Sequence, residues 1–272
     1  MILRLARART LENASLLIVS VAGLLAFGLP FIISAMPDSL GQLSTRPVNA
    51  SLLLALIVGG SLTITAGELA RGPASGNIAR SVALLGALVA IDATLRLVPS
   101  FLGASPIFAL IVLVGYVFGP PFGFVMGALT LLLSAAITAG VGPWLPFQML
   151  CAGWVGVASG WLPRWRSSRA ELITMMAFGA VAGFGYGALM NLYSWPFAAP
   201  GATSDTGLYW SPSLSFMESI ERYATFYVAT SFIHDASRGA ATALIILIAG
   251  APVLRLLERF RMRAVWTSSS SE

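Results

Sequence analysis

Lysine is absent from this sequence: all 16 basic residues are arginine. That excludes a phosphate-binding P-loop, whose lysine grips the β- and γ-phosphates. It also excludes a Schiff-base lysine. If ATP drives this protein, another chain hydrolyses it. Cysteine is nearly absent, and Cys151 alone cannot form an internal disulfide. His234 is the only histidine, which excludes a multi-histidine metal site. No metal and no cofactor is expected. Charge of either sign is scarce. Charged residues make up 10 % of the 272, against 57 % hydrophobic, where a soluble domain carries about 25 % charged residues. So few charges cannot solvate a globule of this size, so the bilayer is the main solvent and an ordinary soluble enzyme is excluded. The net charge is +5, but the arginines sit in short clusters beside apolar spans, which argues against a nucleic-acid partner.

What is present is a series of long uncharged runs. Ala14 to Met36 is 23 residues long, beyond the roughly 7–15 residues of a signal-peptide core, and reads as a retained helix. Ala50 to Gly67 is a second span. A third runs from Ala79 to Val98; it holds Asp92 and Arg96 near its end. Leu97 to Pro163 is 67 residues without a charge; at about 20 residues per crossing it holds three spans. Pro106, Gly119-Pro120-Pro121 and Gly140-Val141-Gly142-Pro143 punctuate them. A seventh span covers Ala170 to Leu192, and Tyr193 to Ser215 is a loop. The last span holds His234, Asp235 and Arg238.

The expected fold is all-α, a polytopic membrane helix bundle of eight spans with both termini cytoplasmic. That topology places Arg4, Arg7, Arg9, Arg71, Arg80, Arg164, Arg166, Arg169, Arg255, Arg259, Arg261 and Arg263 inside, 12 of the 16. The excess of arginine on one side is the positive-inside pattern. Residues 1–77 read as a two-helix segment, 78–263 as the core, and 264–272 as a disordered tail.

Glycines recur every fourth residue at Gly119, Gly123 and Gly127, at Gly156 and Gly160, and at Gly179, Gly183 and Gly187. Small residues on one helix face let backbones approach closely, and these rows read as internal packing. Ala83 with Ala87, and Gly86 with Ala90, repeat the spacing in the third span; that face suits either internal packing or a partner.

The intramembrane charges fall at one depth. At 1.5 Å rise per residue, Asp92 and Arg96 stand about 18 and 24 Å above Arg80, and Arg238 stands about 25 Å above Arg255. These charges, with His234 and Asp235, lie in the outer half of a core about 30 Å thick. Trp144, Gln148, Asn191, Tyr193, Trp195 and Trp210 fall at the same level. Two readings stand. One is an interfacial aromatic belt with local pairs Asp92–Arg96 and Asp235–Arg238. The other is a ligand cavity open to the outside, since intramembrane charges mark function by default. Ser231 and His234, three apart on one helix, do not form a nucleophile–base pair from separate elements, and no catalytic residue is expected.

The runs LRLVPSFLGASPIFALIVLVGYVFGPPFGFVMGALTLLLSA (Leu95 to Ala135), GVGPWLPFQMLCAGWVG (Gly140 to Gly156) and TSFIHDASRGAATALIILIAGAPVLRLLERF (Thr230 to Phe260) resemble the substrate-binding S-components of energy-coupling factor (ECF) vitamin transporters. They look most like those assigned to cobalamin. The resemblance implies a six-helix core, here spans three to eight, with residues 1–77 as an addition to the usual pattern. It implies a non-catalytic subunit of the cell membrane that binds a vitamin from outside. It also implies as partners a transmembrane T-component and two cytoplasmic ATPase subunits. Ala83 and Ala87, beside Gly86 and Ala90, fit the family's Ala-x-x-x-Ala docking face. The substrate would meet Trp144, Gln148, Asn191, Tyr193, Trp195, Trp210 and His234, with Asp92, Arg96, Asp235 and Arg238 at the same depth. Gly103 falls in a loop suited to a lid. The alternatives are a self-sufficient secondary transporter and a non-catalytic scaffold protein. The first would commonly show repeated halves and ion-coupling groups, and neither is seen in the sequence.

Overall fold

Runs of Leu, Ile, Val and Ala with no interior break satisfy every backbone group within the segment when they coil, as a lipid environment demands. The computed structural model describes residues 2–35, 50–71, 77–98, 102–197, 207–211 and 213–269. It is all-helical, and the described residues contain no strand. The helices are α1 (Ile2–Ser34), α2 (Ala50–Arg71), α3 (Asn77–Leu95), α4 (Ile107–Phe118), α5 (Pro120–Ile137), α6 (Leu145–Gly160), α7 (Ser168–Ser194), α8 (Phe216–Thr230) and α9 (Phe232–Ser269). Five of them, α1, α2, α5, α7 and α9, are long and apolar enough to cross a membrane. Leu17, Leu62, Val181 and Ile248 point outward from these helices, as lipid-facing side chains do in a polytopic bundle.

The centre of the bundle is α4, buried along almost its whole length from Ile107 to Val117. Around it pack α5, α6 and α9, and the closest helix pairs are α5 with α6 and α7 with α9. The glycine rows make these crossings. Gly123 and Gly156 face each other so closely that a Cβ on either would overlap the other's backbone, and Gly127 is set against Ala152 in the same way. The rows therefore serve internal packing, as their spacing suggests.

The first two helices are joined to this core. α1 buries Val19 and Phe27, with Gly23 between them, on one stripe, and α2 buries Leu53, Ile57 and Ile64. Phe27 meets Phe147 edge-on at 5.0 Å and Trp154 at 5.9 Å between ring centroids. Trp154 Nε1 donates to Ser20 Oγ at 2.9 Å.

The C-terminal end of α4 is held by arginines. Arg164 donates to the carbonyl of Tyr116 and, at 3.3 Å, to that of Val117. Arg261 donates to the Val117 carbonyl at 3.3 Å. Positive groups at a helix C-terminus satisfy its orphan carbonyls and complement its dipole. Tyr116 in turn lies under the Arg164 guanidinium at 3.9 Å and donates to Glu171 at 2.7 Å.

Two features differ from expectation. The segment after Ser215 is not one span: it forms α8 and then α9, broken at Ser231. α8 starts from a capping box, in which Ser215 Oγ accepts from the Glu218 amide and Glu218 accepts from the Ser215 amide at 2.9 Å. Its mix of exposed Met217, Ile220 and Val228 with Glu218, Glu221 and Arg222 is that of an interfacial helix. At the other end, α9 continues through the start of the expected tail to Ser269. Residues 72–76, between the second and third expected spans, lie outside the described residues.

Candidate functional site

The C-terminal ends of α3 and α5 and the N-terminal ends of α6 and α9 carry five polar side chains in two groups. Arg96, just past the last turn of α3, donates to Ser134 Oγ of α5 at 2.7 Å and to Gln148 Oε1 of α6 at 3.3 Å. On α9, Asp235 is buried and forms an ion pair with Arg238, one turn away. That pair sits against α7. A Cβ at Gly187 would overlap the Asp235 carboxylate, so only glycine admits it. Arg238 also donates to the Gly183 carbonyl at 3.4 Å and lies 5.2 Å over the Tyr186 ring. Phe108 meets the Tyr186 ring at 4.7 Å.

The loop before α4 covers this layer. Gly103 has φ +79°, the left-handed region that favours glycine, and a Cβ there would lie 3.1 Å from both Arg238 Nη2 and the His234 carbonyl. The residue read as part of a lid therefore rests directly on the charged turn of α9.

A second, aromatic layer lies beside it. Tyr193 stacks on Phe147 with centroids 4.3 Å apart. Trp195 is buried, donates Nε1 to the Leu208 carbonyl at 2.9 Å, and packs on Tyr223 at 5.3 Å and Phe31 at 6.1 Å. Asn191 is half-buried one turn below Trp195, whose amide bonds its carbonyl. Trp210 is half-buried, and its Nε1 has no partner.

Three of the expected neighbours lie apart from these groups. The local pair Asp92–Arg96 does not form: Asp92 is fully buried, neither of its oxygens has a hydrogen-bond partner, and the polar group facing it is the Thr130 hydroxyl. Arg96 lies beyond the end of α3, so its side chain crosses to α5 and α6 instead of running back along its own helix. His234 and Trp144 are exposed, Trp144 at 43 %, with its ring folded over Gly142. The other local pair, Asp235–Arg238, is formed.

Sequence reading passed over Ser134, Tyr186, Phe27 and Phe31. Ser134 was visible, being one turn from the outer end of α5 and so at the depth of Arg96. Tyr186 hides inside the Gly183–Gly187 row, which reads as packing alone. Nothing in the order of residues points Phe27 or Phe31 at helices more than a hundred positions away.

The small-residue face of α3 is bare. Ala83, Gly86, Ala87 and Ala90 are all exposed, and a Cβ on Gly86 would meet nothing within 4 Å.

An all-helical membrane bundle with a polar and aromatic layer at one end is the architecture of a membrane-embedded binding or transport protein. The model of the ECF transporter substrate-specific component family matches residues 80–250, well over half of the chain. The chain belongs to that family, whose members are substrate-binding subunits of transporters. The matched region begins within α3, so α1 and α2 lie outside it. No curated protein and no solved structure matches the chain.

Proposed function

We propose that this chain captures a vitamin from outside the cell membrane and delivers it through a complex with a transmembrane T-component and two cytoplasmic ATPase subunits. The observation that carries the reading is a pair of intramembrane polar groups, Arg96 with Gln148 and Asp235 with Arg238 against Tyr186, in a chain of this family. Beside them, Tyr193, Trp195 and Trp210 offer aromatic faces, and Gln148 and Asn191 offer amides. Trp144 and His234 stand exposed at the rim. A corrinoid is the favoured substrate, because it is large, flat and rimmed by amides that such groups recognise. Gly103 and its loop serve as the lid over the charged layer. Ala83, Gly86, Ala87 and Ala90 serve as the docking face: they are exposed, and small residues permit close helix approach. The missing lysine agrees with ATP hydrolysis in other subunits. In this reading both termini are cytoplasmic and the polar layer faces outside, as the arginine excess on one side supports.

Calorimetric titration of the purified protein with cyanocobalamin, riboflavin, thiamine, biotin and pantothenate tests the reading. Saturable one-to-one binding of one of them supports it, with cyanocobalamin expected. Absence of binding by all five refutes it.

A further inference from the structure

One guanidinium of the polar layer has no carboxylate partner. Among its described residues, Arg238 is neutralised by Asp235, and Arg222 acts on Glu218 at the start of α8. Arg96 has no carboxylate: its partners are a hydroxyl and an amide, and Asp92 makes no ion pair with it. Both partners are polarised toward it. The Ser134 hydroxyl spends its proton on the Leu131 carbonyl at 3.0 Å, so toward Arg96 it can only accept. Arginine only donates, so Gln148 meets it with Oε1 and keeps both amide protons for another group. A guanidinium carries five donors in a rigid fork. Two positions are fixed by Ser134 and Gln148, which orients the rest. The result is a preorganised set of donors, half-buried, with no carboxylate in contact.

We infer that Arg96 is the anion-recognising residue of the substrate site, and that the substrate carries a carboxylate or a phosphodiester. This rests on the substrate-binding reading above and adds the chemical class of the ligand. Oriented N–H donors of arginine pair with such oxygens in a charge-assisted, often bidentate arrangement. A corrinoid meets this requirement through the phosphodiester of its nucleotide loop, and a smaller vitamin through a carboxylate.

The test is calorimetric titration of wild-type protein, Arg96→Gln and Arg96→Lys. The probes are cyanocobalamin, dicyanocobinamide (which lacks the phosphodiester), biotin, pantothenate, riboflavin and thiamine. Binding of cyanocobalamin but not dicyanocobinamide identifies the phosphodiester, whereas binding of biotin or pantothenate identifies the carboxylate. In either case Arg96→Gln should weaken affinity about 10- to 100-fold, and Arg96→Lys less, with an unchanged melting temperature. Equal affinity of wild type and Arg96→Gln overturns the inference and leaves the transporter reading standing. So does preference of wild-type protein for riboflavin, thiamine or dicyanocobinamide, which decides the matter even if Arg96→Gln does not fold. Failure of wild-type protein to bind any probe removes both readings.

Discussion

Replacing one member of the Asp235–Arg238 pair strands the other inside the bundle. Asp235 is 2 % exposed and Arg238 15 %, so neither can recover its hydration. Breaking a buried ion pair from one side costs about 3–5 kcal/mol. For a chain of this size that corresponds to a melting temperature lower by roughly 6–20 °C. The two single variants should differ. In Asp235→Asn, Arg238 keeps the Gly183 carbonyl and the face of Tyr186. In Arg238→Gln, Asp235 keeps only the Tyr227 hydroxyl that faces it, and its second oxygen is already unpartnered. Arg238→Gln should therefore be the less stable of the two, and the double variant should be more stable than Arg238→Gln. Cys151 is the only cysteine and is buried, so a maleimide dye that fluoresces on reaction reports unfolding without further labelling. Substrate affinity is measured on the same samples, and the double variant should fold but lose binding. Melting temperatures of both single variants within a degree or two of wild type would refute the argument, since the pair would then be solvated.

Three further outcomes follow from the packing and the cap. Gly156→Leu should destabilise the protein by at least about 1–3 kcal/mol, read by the same dye, because its Cβ overlaps the Gly123 backbone; a normal melting curve would contradict the crossing geometry. Ala83→Trp should leave stability within about 0.5 kcal/mol of wild type and leave substrate affinity unchanged, because the residue is exposed, yet abolish uptake in cells carrying the T-component and ATPases. Glu218 is held below the usual carboxylate range, first by the Ser215 hydroxyl and then by the Ser215 amide. A carboxyl whose folded value is depressed contributes above its unfolded value and loses that contribution as pH falls through the folded one. Protection factors of the amides in 216–230 should therefore fall on acidification, and Glu218→Gln should remove that fall.

The helices from Leu97 to Pro163 were legible because hydropathy and punctuation are properties of adjacent residues. The glycine rows were legible because a spacing of four places them on one face. Asp235–Arg238 was legible for the same reason, since i and i+3 are neighbours while the helix continues past both. Asp92–Arg96 has equally good spacing and fails, because α3 stops at Leu95 and Arg96 is released to reach across the bundle. Where a helix ends by a residue or two decides such a pair, and boundaries are the weakest part of a sequence reading. The break between α8 and α9 has no proline or glycine to announce it; only the Ser215-x-x-Glu218 box signals the start of α8. The attachment of α1 through Ser20, Phe27 and Phe31 is a matter of distant complementarity, for which no local pattern exists.

The central helix α4 has 12 residues, so it is about 18 Å long, against a hydrocarbon core of about 30 Å. Its outer end lies under the Gly103 loop and the layer of Arg238, and its inner end is gripped by Arg164 and Arg261. Polar groups thus approach the midplane from both sides along the bundle axis, while the outer surface of the long helices keeps its full apolar height. The insulating stretch between the two aqueous compartments is therefore thinner through the protein than through the surrounding lipid. It consists of little more than three turns of Ile, Leu, Val, Ala, Gly and aromatic side chains from Ile107 to Val117. Lengthening or shortening that one helix would change the separation of the two polar ends without touching a single charged residue.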